Sequence, residues 1–128
     1  MGLTMIERLI DSVIIIDHLN GLENATRFIF ELDPQQTAIS VITRAEILTG
    51  IDQDEQISVI HLLDQYKLFI IDKPIADLAA DLRREHGWKL PDAFQAAIAK
   101  HHKTKLTTRN TKDFDPAKFD FVEIPYAL

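Results

Sequence analysis

Asp11, Glu46, Asp92, Asn110 and Asp113 lie far apart in the chain, yet each stands where a parallel-sheet strand should end or a helix should begin. Asp11 closes the short run Arg8-Leu9-Ile10, and Glu46 follows Ala38-Ile39-Ser40-Val41-Ile42. Asp92 opens a helix behind Leu90-Pro91, and Asn110 and Asp113 follow Leu106-Thr107-Thr108. In an open α/β sheet the carboxyl ends of the strands line one edge, and ligands bind in the crevice outside it. Parallel pairing would therefore gather these distant groups into one cleft. Two unit charges about 4 Å apart cost roughly 4 kcal/mol at an effective dielectric near 20. Bound divalent cations reverse that penalty, and Mg²⁺ prefers oxygen ligands while keeping several waters for chemistry. The chemistry these residue types point to is a metal-dependent acid site.

Each position also has a local explanation. Asp11-Ser12 suits a turn or a helix N-cap. Thr43-Arg44-Ala45-Glu46 matches a capping box, in which Thr and Glu satisfy each other's backbone amides. Asp92 in a first helical turn favours the helix dipole. Asn110 and Asp113 are spaced like an amide cap and a first-turn acid. Asp17 reads as a supporting or surface group. The coincidence of these residues along one edge carries the inference. Arg44, Lys89 and Arg109 flank the same region. Arginine suits bidentate phosphate contacts, which makes a phosphodiester near the metal reasonable, whereas Lys89 fits ordinary surface charge. Lys100, His101, His102 and Lys103 form a basic helix end that favours the dipole, and the histidines are not taken as ligands. Trp88 and Tyr126 could stack on bases, but packing is the role assigned to each.

A chain of 128 residues fits one domain spanning 1–128, large enough to bury a core. Apolar residues make up 46% and charged residues 27%, an ordinary globular balance that argues against disorder. With no cysteine, disulfides and thiolate chemistry are excluded. No apolar stretch approaches the roughly 20 residues of a membrane span. No basic segment leads into an apolar run at the N-terminus, so no signal peptide is read and the cytoplasm is the expected location. Met5 reads as a possible start, with Met1–Thr4 as upstream sequence or a cloning remnant. The net charge of −6 counts mildly against nucleic acid as a partner, less so if the acids hold metal, and it would suit a basic protein partner.

Strand and helix signals alternate, without a repeat, low-complexity tract or linker. Strands are expected at Arg8–Asp11, Thr37–Ile42, Lys67–Asp72, Lys105–Thr108 and Phe121–Ile124. Helical patterns fill Val13–Leu19, Leu22–Leu32, Arg44–Thr49, Asp54–Tyr66, Pro74–His86 and Pro91–His101, with Gly50 and Gly87 as stops. Strands separated by helices imply βαβ units, and near-continuous apolar strands imply burial on both faces. The expected class is α/β, a three-layer α/β/α sandwich on a mostly parallel five-stranded sheet.

Four blocks together resemble the PIN-domain nucleases, and among them the VapC-type toxins of bacterial toxin–antitoxin pairs. They are Leu9–Leu19, Ser40–Gly50, Leu90–Ala99 and Leu106–Phe114, in the family's order and approximate spacing, so the resemblance covers nearly the whole chain. It implies a Mg²⁺- or Mn²⁺-dependent endoribonuclease acting on tRNA or rRNA loops. Asp11, Glu46 and Asp92 would be metal ligands, Ser12 a supporting hydroxyl, and Arg109 and Arg44 substrate contacts. It further implies a cognate antitoxin and a homodimer. Val13 stands where many relatives have Asn, and Asn110 where others have a fourth acid, leaving that place to Asn110, Asp113 or neither. Two other classes compete. One is a PIN-like binding module that has lost catalysis. The other is a phospho-accepting receiver domain with Asp72 as acceptor and Lys73 or Lys105 as its partner, which would leave Glu46 and Asp92 without a role.

Overall fold

A computed structural model describes residues 5–128; Met1–Thr4, and with them the question of an upstream remnant, lie outside the described residues. The chain runs β1 (Arg8–Ile10), α1 (Ser12–Leu19), α2 (Glu23–Glu31), β2 (Thr37–Ser40), α3 (Val41–Thr49), α4 (Gln56–Leu63), β3 (Lys67–Phe69), α5 (Lys73–His86), α6 (Leu90–His102), β4 (Lys105–Thr107) and β5 (Val122–Glu123). Short 3₁₀ turns at Pro34–Gln36 and Gln53–Glu55 lead into β2 and α4. All strand pairings are parallel, in the order β3-β2-β1-β4-β5.

Because successive strand residues face opposite sides, β1 sends Leu9 to one layer and Ile10 to the other, and β2 divides Ala38 and Ile39 in the same way. Leu9, Ala38 and Leu106 pack against Ile75, Ala79 and Leu82 of α5 and Ala93, Ala96 and Ala97 of α6. Ile10 and Ile39 pack against Ile14 and Ile15 of α1, Ile29 of α2, Ile47 of α3 and Val59 and Leu63 of α4. Alanines on α6 let that helix lie close to the sheet and to α5. Two apolar layers on one twisted sheet give the expected three-layer sandwich.

The chain moves from β1 outward to β2 and β3, then returns through α5 and α6 to β4 on the other flank of β1. β1 and β4 thus bracket the point where the winding reverses, which is where open α/β sheets bind ligands. All five strands are shorter than expected, and at three of them a side chain that caps the next helix accounts for the early end. The first strand stops at Ile10, because Asp11 turns to cap α1 by accepting the Ser12 amide. The second stops at Ser40, whose hydroxyl accepts the Thr43 amide at 3.1 Å and starts α3 at Val41. Thr43 and Glu46 therefore lie inside α3, and the capping box expected of them does not form. The third strand ends at Phe69, and Asp72 caps α5 by accepting the Ile75 amide at 3.1 Å.

Candidate active site

A cleft of about 420 Å³ opens at the carboxyl edge of the sheet between β1 and β4, lined by Asp11, Ser12, Val13, Glu46, Pro91, Asp92, Gln95, Arg109, Asn110, Thr111 and Lys112. Asp11 sits in the link from β1 to α1, and its own amide donates to the Thr107 carbonyl of β4 at 2.9 Å. Only 7% of Asp11 is exposed, so its carboxylate needs partners. Oδ1 accepts from the Ser12 amide at 2.9 Å and Gln95 Nε2 at 3.1 Å, and Oδ2 accepts from the Thr108 hydroxyl at 2.8 Å. A carboxylate held by three donors from three elements has one orientation.

Glu46 enters from α3 and Asp92 from the first turn of α6, in which Pro91 is the second residue and which has no side-chain cap. Burial pushes the Asp92 carboxyl up to about 6; the charges of Asp11, Asp113 and Glu46 push the same way, and Lys89 opposes them. Burial also raises Glu46, with the Ser12 hydroxyl pulling it down and the Asp11 charge adding to the rise. Burial is the main cause of both shifts, and the crowding of acids from separate elements in one crevice adds to it, a pattern that marks functional sites.

The other expected residues divide. Asn110 lines the cleft, and its Nδ2 donates to Asp113 at 3.0 Å, so the acid is reached from the cleft through the amide. Arg109 lines the cleft while its Nε and Nη2 donate to Asp17 at 2.5 and 2.9 Å. Arg44 does not line it; its guanidinium pairs with Asp64 at 2.7 Å. Trp88 is buried against Phe114 and donates its indole N–H to the Asp113 carbonyl, a packing role. Sequence reasoning passed over Gln95, whose side chain also accepts from Ser40 at 2.6 Å and donates to Thr43 at 2.8 Å. Its signal was an amide on the alanine-lined face of a helix, three residues after Asp92. Thr108 and Lys112 were likewise missed.

Residues 8–120 match the family described as PIN domain. The chain belongs to the PIN domain family. Among solved structures, this PIN domain is similar to a chain of a toxin–antitoxin complex from Klebsiella pneumoniae, at 36% identity over 95% of this chain and 100% of that one, with a TM-score of 0.86. It resembles FitAcB from Neisseria gonorrhoeae at 24% identity, over 94% and 99% of the two chains, with a TM-score of 0.75. It also resembles DNA-bound VapBC from Salmonella typhimurium at 20% identity, over 87% and 92%, with a TM-score of 0.73. The last two likenesses concern the fold alone. No curated protein matches the chain. Membership in the PIN family overturns the receiver-domain alternative, and Asp72, its acceptor, is the cap of α5.

The donor set of the PIN cleft fits a hard divalent ion: its acids are all oxygen donors, and their mutual repulsion favours a cation between them. Among the described residues no three acidic or histidine side chains are close enough to clasp one ion together.

Proposed function

We propose that this PIN domain is a divalent-metal-dependent endoribonuclease and the toxin of a two-protein toxin–antitoxin pair. The observation that carries the nuclease reading is the shared cleft of Asp11, Glu46 and Asp92, in which burial, with the neighbouring acids adding to it, raises the Asp92 carboxyl to about 6. Asp11 and Asp92 would hold Mg²⁺ or Mn²⁺, which when bound supplies an acidified water and neutralises charge on a phosphate undergoing hydrolysis. Gln95 and Thr108 keep the Asp11 carboxylate turned to the cleft. Glu46, with Ser12 beside it, orients the attacking water and accepts its proton, a role that its raised affinity for protons suits. Asn110 fills the place of a fourth acid with a neutral amide tied to Asp113. Lys112 and Arg109 are the cations lining the cleft and would meet substrate phosphates. A cleft open at a sheet edge suits exposed, unstacked loops such as those of tRNA or rRNA. The toxin reading is supported by the 36% identity, over the full length of that chain, to a member of a toxin–antitoxin complex. On it, the cytoplasm is the site of action and an antitoxin is the partner.

The test is cleavage of total cellular RNA by purified protein with Mg²⁺, Mn²⁺ or EDTA, beside Asp11→Asn prepared identically. Discrete products that need metal and vanish in the variant are expected. Equal cleavage by Asp11→Asn, or none by well-folded antitoxin-free protein, overturns the assignment.

A further inference from the structure

Behind the cleft wall Arg109 belongs to a polar trio whose other two members, Asp17 and Tyr126, the proposed chemistry does not use. Asp17 of α1 is 7% exposed, and both of its oxygens accept from Arg109. Its Oδ2 accepts in addition from the phenol of Tyr126 at 2.8 Å. Tyr126 belongs to the segment after β5, and its ring packs against Phe28 of α2 at 6.5 Å between centroids. We infer that Tyr126 is a positioning residue for substrate phosphate: through Asp17 it fixes the direction in which Arg109 presents its remaining donors to the cleft. This rests on the nuclease reading and deepens it.

The geometry separates this arrangement from a plain buried ion pair. Arg109 itself lines the cleft, between Thr108, which holds Asp11, and Asn110, which lines it too, so the direction of its guanidinium matters at the site. An arginine beside several carboxylates has an alternative: it can swing onto Asp11 or Asp92 and neutralise them itself. Two parallel bonds to Asp17 forbid that only if the Asp17 carboxylate stays in plane. The phenol supplies a third donor on Oδ2, from a ring anchored on a different helix. Removing it leaves Asp17 bound to Arg109 alone, and the pair is then free to rotate together.

Tyr126→Phe keeps the ring and its packing and removes only the hydroxyl. With an RNA oligonucleotide that the native protein cleaves, KM should rise roughly fivefold, as one lost hydrogen bond predicts, while kcat changes less than about twofold. Asp17→Asn should raise KM at least as much, and adding Tyr126→Phe to it should add nothing, because both act through one carboxylate. Thermal melting of each variant shows that it is folded. Wild-type KM in a folded Tyr126→Phe, a loss in kcat alone, or independent effects in the double variant overturns the inference while leaving the nuclease reading intact. A native protein that cleaves no RNA with either metal removes that reading, and the inference with it.

Discussion

Gln95 is 2% exposed and divides its amide among three partners: Nε2 donates to Asp11 and Thr43, and Oε1 accepts from Ser40. It joins β1, α3 and the end of β2 to α6 within one buried network, so its loss strands several groups at once. Gln95→Leu, close in size, is expected to cost about 2 to 3 kcal/mol, the penalty of buried polar groups left unpaired. Urea unfolding measures this, and an unchanged midpoint would show that water replaces the amide without cost. Thr108 acts more locally. Its hydroxyl donates to Asp11 Oδ2 at 2.8 Å and accepts from the Asn110 amide at 3.0 Å. Thr108→Val should lower kcat about tenfold by letting the carboxylate turn, whereas Thr108→Ser should keep most of the activity. Equal activity in the valine variant would remove Thr108 from the positioning of Asp11. None of these partners was visible in sequence: a threonine after a strand and a glutamine in a helix are common, and only the fold brings them to Asp11.

Two side-chain ties join the start and body of α1 to the residues after β4, Thr108 to Asp11 and Arg109 to Asp17. The Arg109 guanidinium holds the Asp17 carboxyl below its usual range; burial pushes it the other way, and the Tyr126 phenol adds to the lowering. A depressed folded pKa means that this group favours the folded state above its unfolded pKa near 4, and that the gain is lost as pH falls through the lower folded value. The melting gap between native protein and Asp17→Asn should thus be largest near neutral pH and close toward pH ~3. A gap that stays constant with pH would assign the loss to packing. The elements joined by these ties were largely legible from patterning. Pro74 and Gly87 bracket α5, and Gly87 adopts φ 72° at its C-cap, a conformation that glycine takes without strain. What the pattern missed were strand ends. Val41 and Ile42 are apolar enough to extend β2, but Ser40 captures the Thr43 amide and turns them into a helix, which carries Glu46 to the cleft rather than into a cap.

For the molecule as a whole, the sheet order places its most costly charges at one edge, on a chain already at −6. Asp92 shows the cost: its carboxyl is pushed up to about 6 by burial and by Asp11, Asp113 and Glu46. Here the sign is the reverse of Asp17. A raised folded pKa means that ionising Asp92 opposes folding, with a penalty that grows as pH rises from about 4 and is complete above about 6. In EDTA at pH ~7.5, Asp92→Asn should therefore be more stable than the native protein, by an amount on the order of 1 kcal/mol for a half-exposed group. The difference should shrink as pH falls through about 6 and vanish below pH ~3, where the native carboxyl is protonated in both states. Mg²⁺ should then raise the native melting temperature by mass action and move the variant far less, since the variant lacks both the repulsion and a ligand. Calorimetry across pH, with and without Mg²⁺, reads both effects without measuring cleavage. A variant less stable than the native protein in EDTA at neutral pH would mean that Asp92 serves the fold. The opposite result would mean that the fold gives up stability to keep this carboxylate where a cation can use it.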